Sequence, residues 1–376
     1  MTRDRSFHAK RKKVREKGLS TTGMSDHEPR ILEHCNEILS RLTERPNEAV
    51  EITSWLNFFG LDVMGGLAFG KSFNMLKQGK PHQFMTQLGA IGPLVAILGC
   101  IPWLFILFQS PPLISAKRAD NVAWCGKQVQ EQKMMSESRV DIFMYLLFSS
   151  DDDPKKSTIP DGDLIYDSEP AVVAGSDTSS TTLAAIVYLL AKNPDKQNLL
   201  QQEVDQILTN AEDISYRQIV GKTPLLDGCI NEALRMYPAA PSGVQRMAPP
   251  EDAMIAGKMI PGDTLIYTPP YALHRNPRNF TDPECFIPER WYSQGHLVKA
   301  KEAFIPFRIG PYSRVGKNLA MMEMRMLLAC LVCSFSFRFP DNQEAAIVEA
   351  FESGYQDHIV GHVAKFEVFI SRRDLA

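Results

Sequence analysis

The segment that most constrains the fold is Ala171-Val172-Val173-Ala174-Gly175-Ser176-Asp177-Thr178-Ser179-Ser180-Thr181-Thr182. Pro170 precedes it, and proline is tolerated early in a helix; Asn193-Pro194 ends the apolar run that follows. The stretch therefore reads as helix, yet its middle holds a glycine and six hydroxyl residues, all poor helix formers. Such a segment needs a tertiary reason. Two are open: a close helix crossing at small residues, or a polar notch facing a ligand.

The surrounding chain is long enough to bury a large core around this helix. It has 376 residues, 44% apolar and 23% charged, which excludes a disordered or fibrous chain. A net charge of -3 argues against nucleic acid as a partner. Seven scattered cysteines, an odd number, are expected to be reduced thiols facing the cytosol. The basic run Lys10 to Arg15 is expected to be a solvated helix face rather than a nuclear signal or phosphate patch, and no apolar signal-peptide core follows it. Leu88 to Phe108 carries no charge over 21 residues and could span a bilayer. Glycines and Pro93 and Pro102 interrupt it, so a buried or interfacial helix pair in peripheral membrane contact is expected. Helical apolar spacing marks Pro29–Leu42, Trp55–Phe69, Gln197–Thr209 and Leu225–Met236. Gly243 to Pro269 reads as strand and turn, and Lys365–Ile370 as a strand.

Two groupings imitate metal sites. Asp151-Asp152-Asp153 lacks the spaced oxygen ligands of a calcium loop and is expected to be solvated. Cys330 and Cys333, with His358 and His362, imitate a zinc site. The interval between the pairs is about twice that of a zinc finger. The cysteines also sit in the apolar run Met326–Phe335, so a buried helix is expected instead.

Four further features recur in one order. They are Ala174-Gly175-Ser176-Asp177-Thr178-Ser179; the E-x-x-R of Glu232 and Arg235; Phe286-Ile287-Pro288-Glu289-Arg290-Trp291 after His274-Arg275-Asn276-Pro277; and Phe307-Arg308-Ile309-Gly310-Pro311-Tyr312-Ser313-Arg314-Val315-Gly316 opening a helix Lys317–Phe335. Each alone is weak, but together the chain resembles a cytochrome P450, closest in wording to fungal monooxygenases of secondary metabolism. The resemblance runs from Ser6-Phe7-His8-Ala9-Lys10 to the final strand. It implies a mainly α (α+β) fold in a single domain over 1–376. That domain would be helical over about 1–240 and 315–335 and β-rich over about 243–270 and 336–376. The family's N-terminal anchor, first sheet and first substrate-recognition loop are expected to have no counterpart, leaving a truncated domain.

The resemblance also implies roles. Asp177 and Thr178 would relay protons to iron-bound dioxygen, with a notch at Gly175 and Ser176 leaving room for it. His8, Lys12 and Arg246 would meet the propionates of haem b. Phe307, Gly310, Tyr312 and Gly316 would form the haem loop, with Tyr312 where many members carry arginine. Glu232, Arg235 and Arg290 would form a buried architectural triad. Electrons would come from NADPH through a reductase, the substrate would be a lipophilic small molecule, and the location would be the cytosolic face of the endoplasmic reticulum membrane.

One residue breaks the pattern. The family's F-x-x-G-x-R-x-C-x-G supplies the thiolate that ligates iron, and Arg314 stands at that position. Arginine stays protonated and has no lone pair to offer. Tyr312 has the precedent of tyrosinate ligation but lies two residues away; Ser313 is a poor ligand; Cys330 is roughly 24 Å along the following helix. Arg308 also replaces a residue that is usually small. The expectation is an inactive homologue. The alternatives are an active monooxygenase with a faulty gene model, or a haem-free binding or scaffold protein.

Overall fold

The computed structural model describes Lys12, Glu16, Leu19 and residues 24–373, apart from 46–47, 84, 87–122, 129, 132–160, 209–210, 212–213 and 359; over 161–170 and at 311 it describes the backbone. His8, Leu88–Phe108 and Asp151–Asp153 lie outside the described residues, as does the Lys10–Arg15 run apart from Lys12.

Helix α1 (Glu28–Thr43) starts with Pro29 in its first turn and buries one stripe, Ile31, Cys35, Ile38, Leu39 and Leu42. The short strand β1 (Ala49–Glu51) leads into α2 (Ile52–Phe69). The Glu51 side chain accepts the Ser54 N–H at 3.0 Å, capping the helix, and Gly70 ends it in the left-handed region at φ 63°. Among the described residues α2 is the one helix long and apolar enough to cross a membrane, but it is 89% buried inside the protein, as a central core helix is.

Helix α3 (Asp161–Lys192) carries the hydroxyl-rich segment and runs 32 residues, roughly 48 Å. Helices α4 (Pro194–Asp205) and α5 (Pro224–Met236) follow, each with proline in its first turn. Then come two small antiparallel pairs, β2 (Arg246–Met247) with β5 (Leu265–Ile266), enclosing the hairpin β3 (Ala253–Ile255) and β4 (Lys258–Ile260). Helix α6 (Lys317–Ser334) is buried along nearly its whole length, including Met321, Met322, Met324 and Met326.

The C-terminal part holds β6 (Phe335–Arg338), helix α7 (Glu344–Ser353), the hairpin of β7 (Gln356–His358) and β8 (Val360–His362), and β9 (Glu367–Arg372). The main sheet has the order β1-β9-β6, so the last strand lies between two earlier ones. Two glutamines of α4 dock on β6: Gln197 Nε2 donates to the Phe337 carbonyl at 2.9 Å and accepts its N–H at 2.6 Å, and Gln201 Nε2 donates to the Phe335 carbonyl at 3.1 Å. Side-chain amides thus satisfy backbone groups that a further strand would otherwise pair.

Sequence spacing located α1, α2, α5 and α6 within a few residues, but α3 begins at Asp161, so Pro170, read as lying early in the helix, sits in its interior. Spacing also missed β1, three residues inside the helical half, and α7 inside the segment read as β-rich. Strand β1 exists because β9 pairs with it (Val50 opposite Val368), a partner over 300 residues away that local pattern does not reveal. Helix α4 ends at Asp205, four residues before the expected Thr209, where the chain turns at Gln206.

Candidate functional site

The six hydroxyls of the α3 segment divide evenly between the helix itself and its neighbours. Ser176 Oγ donates to the Val172 carbonyl at 2.8 Å, Thr178 Oγ1 to Ala174 at 2.8 Å and Thr182 Oγ1 to Thr178 at 2.9 Å, each satisfying the hydroxyl within the helix. Three others tie α3 to its neighbours. Ser180 Oγ donates to the Leu56 carbonyl of α2 at 3.0 Å, Thr181 Oγ1 to the Gly361 carbonyl of β8 at 3.0 Å, and Ser179 Oγ to Glu323 Oε2 of α6 at 2.9 Å. A Cβ on Gly175 would lie 2.5 Å from Met64 Sδ, and one on Gly60 would lie 2.3 Å from Ser180 Oγ and 3.0 Å from the Ser176 carbonyl oxygen. The close helix crossing therefore accounts for Gly175, which packs on α2.

An open face remains. Ala174 is exposed, and Val173 and Asp177 are half-buried, on adjacent turns of α3. Desolvation pushes the Asp177 carboxyl up to about 6, against the opposing hydrogen bond from Ser176 Oγ at 3.5 Å. Asp177 can thus gain or lose a proton near neutral pH. Thr178 is buried beside it.

The structure brings Glu232, Arg235 and Arg290 together, all at 0% or 1% exposure. Glu232 accepts five hydrogen bonds: Arg235 Nε at 3.0 Å and Nη2 at 2.8 Å, Arg290 Nε at 2.9 Å, the Ile287 N–H at 3.1 Å and Trp291 Nε1 at 2.9 Å. Two guanidiniums against one carboxylate leave one excess positive charge. Backbone carbonyls take the remaining donors: His274, Pro283 and Cys285 from Arg235, Thr281 and Asp282 from Arg290. Trp291 and Ile287 are members that the sequence reading missed; Trp291 stood next to the quoted arginine and was the available signal. His274 is also buried and accepts the Ile305 N–H at Nε2 (3.0 Å); desolvation lowers its pKa to about 4, so it stays neutral.

The loop from Phe307 to Gly316 leads into α6. Arg308 holds φ 61° and Gly310 φ 79°, both left-handed. The Arg308 N–H bonds to the Ile305 carbonyl and the Arg314 N–H to the Phe307 carbonyl, each at 3.0 Å, and fix the turn. The Gly316 carbonyl accepts the Ala320 N–H in the first turn of α6. Lys12 Nζ donates to Ser313 Oγ at 3.2 Å, and Arg246 of β2 lies over the Tyr312 ring at 5.0 Å. Phe307 packs half-buried against the core, with Lys317 Nζ 5.8 Å above its ring. Lys12, Arg246, Tyr312 and position 314 therefore do gather around one loop.

No group of three or more His, Cys, Asp or Glu among the described residues could hold a metal ion. Cys330 and Cys333 are buried in α6, with Cys330 Sγ 3.5 Å from the Ala211 carbonyl, while His358 and His362 stack on each other in the β7–β8 hairpin at 5.7 Å.

Comparison with known proteins agrees with this architecture. A crystal structure of the cytochrome P450DA heme domain superposes with a TM-score of 0.80 at 19% identity, covering 97% of this chain and 76% of that one, so the fold is shared. The cytochrome P450 monooxygenase nodW of Hypoxylon pulicicidum is 40% identical over 373 residues, 99% of this chain and 68% of that protein. Tryprostatin B 6-hydroxylase of Aspergillus fumigatus is 32% identical over 379 residues, 99% of this chain and 66% of that protein. The chain thus spans about two thirds of the length of these relatives. A family model described as Cytochrome P450 matches residues 2–356. With the fold shared, fungal monooxygenases alike over nearly the whole sequence and the family model matched from residue 2 to 356, this chain belongs to the cytochrome P450 family.

Proposed function

We propose that this chain is a monooxygenase homologue of fungal secondary metabolism that does not perform thiolate-dependent oxygen insertion as its sequence stands. The carrying observation is Arg314. By the family, haem b would lie against the Phe307–Gly316 loop, where a cysteine thiolate would favour O–O cleavage. The residues present do not fit that group. Arg314 is half-buried, desolvation lowers its pKa, and it remains a cation without a lone pair. The adjacent side chains add to the mismatch, since Arg308 and Arg246 are cations too. Cys330 is far along α6 and buried against a carbonyl.

The rest of the architecture supports descent from an oxygenase. Asp177 titrates near neutrality on the open face of α3, with Thr178 next to it. A lipophilic small-molecule substrate, electrons from NADPH through a reductase and a place at the cytosolic face of the endoplasmic reticulum membrane belong to this proposal through the family. The test is spectroscopic. The wild-type chain and Arg314→Cys are purified with haem supplied, reduced and exposed to carbon monoxide. The thiolate-type red-shifted band is expected in Arg314→Cys and not in the wild type; that band in the wild type overturns the reading.

A further inference from the structure

We propose that His358 and His362 form a two-imidazole site for one divalent transition-metal ion of the zinc–copper class, on the outward face of the β7–β8 hairpin. The pair is what remains of the imitation zinc site once Cys330 and Cys333 are buried inside α6.

The hairpin register puts both rings on one face. Gln356 lies opposite His362, Asp357 opposite Gly361, and His358 opposite Val360. Side chains alternate between faces along a strand, so Gln356, His358, Val360 and His362 share one face and Asp357 takes the other. The two histidines are diagonal neighbours there, a separation that ring side chains can span. They do converge, with ring centres 5.7 Å apart. A zinc–nitrogen bond is about 2.0–2.1 Å, which puts the ion about 3 Å from each ring centre and two rings that share it about 4.5–6 Å apart. The observed spacing falls inside that range. His362 is exposed and His358 half-buried, so each ring has room to turn a nitrogen onto one ion.

The hairpin is fixed by its neighbours, so binding does not have to order the strands. The Gly361 N–H donates to the Ala239 carbonyl and the Gly361 carbonyl accepts Thr181 Oγ1 of α3, each at 3.0 Å. The donor set also selects the ion. Asp357 points to the other face, where its Oδ2 accepts the Ser242 N–H at 3.1 Å. Among the described residues no third His, Cys, Asp or Glu joins the pair. Imidazole without carboxylate suits zinc, copper and nickel rather than magnesium or calcium. Water or the Gln356 side-chain carbonyl completes the coordination. A cation lies three residues on, but Lys365 Nζ is 3.5 Å from Glu51 Oε2, which offsets its charge.

The test uses the purified full chain without an affinity tag, in a Cys285→Ser background because that exposed thiol also takes copper. The probes are copper(II), nickel(II), zinc(II) and, as the hard-ion control, magnesium(II), followed by calorimetry and, for copper, electron paramagnetic resonance. One equivalent of copper is expected to bind with nitrogen hyperfine structure from two imidazoles, more tightly than nickel or zinc, and magnesium is expected not to bind. His358→Gln and His362→Gln should each weaken zinc binding at least about tenfold, the loss that even an outer partner of a metal ligand causes. His296→Gln, at another exposed histidine, should leave it unchanged. Saturating zinc should also shield His358 and His362, and not His296, from diethylpyrocarbonate in the chain with its histidines intact, read by peptide mass spectrometry. Magnesium binding as tightly as zinc, zinc affinity unchanged in both glutamine variants, or both histidines modified at the unprotected rate would each overturn the proposal. The last of these decides even where a variant fails to fold. None of these readouts involves haem, so their outcome is separate from that of the carbon monoxide spectrum.

Discussion

Glu323 sits in the middle of α6 with 1% exposure, and a single donor, Ser179 Oγ of α3, reaches it. Its Oε1 is buried without a partner. Desolvation outweighs the Ser179 bond and raises the carboxyl from the ordinary 4.5 to about 8. Because the folded chain holds this proton more tightly than the unfolded one, stability is greatest below about pH 4.5 for this group. It is lost as pH rises and levels off above about 8. The whole span is worth on the order of 5 kcal/mol, of which about 3 kcal/mol falls between about pH 5.5 and pH 8. Glu323→Gln keeps an acceptor for Ser179 and removes the titration. Its amide group takes the place of Oε1, which has no partner, so both amide hydrogens are unpaired, which lowers stability by about 1–3 kcal/mol at every pH. Urea unfolding of both proteins should therefore show stability curves that differ in slope by about 3 kcal/mol across this range and converge or cross as pH rises. Parallel curves would refute the claim that Glu323 is held neutral, and with it the account of how α3 and α6 are joined.

The triad and the helix crossing give sharper structural tests. Glu232→Ala strands two buried guanidiniums, so a loss of about 3–5 kcal/mol or failure to fold is expected, and Glu232→Gln should recover part of it in the same urea assay. Gly60→Ala would place a methyl 2.3 Å from Ser180 Oγ and 3.0 Å from backbone, so α2 and α3 must part, with a loss of about 1–3 kcal/mol by thermal denaturation. Tyr188→Phe removes the hydroxyl bond to Glu352 at 3.0 Å yet keeps the stack on Phe351 at 3.8 Å; a loss under about 1.5 kcal/mol is expected.

Much of this molecule was legible in one dimension because its determinants are local. Proline in the first turn and apolar spacing mark α1, α4 and α5, and a fixed spacing of three places Glu232 and Arg235 on one helix face. Arg314 itself is a one-dimensional fact, and the chemistry it forbids follows from a guanidinium's lack of a lone pair.

Partnership across the chain was decided in three dimensions. No spacing shows that Glu51 lies beside β9, that Gln197 serves as a strand edge for Phe337, or that Trp291 completes the Glu232 cluster. The hydroxyl run of α3 shows the division most clearly. Its composition required a tertiary reason and left two in view. The structure assigns Ser179, Ser180 and Thr181 to three different elements and Gly175 to a fourth contact, leaving Asp177 on the open side. A hydroxyl does not encode which neighbour it will meet. That is fixed only when burial removes water and each polar group must find its partner in the fold.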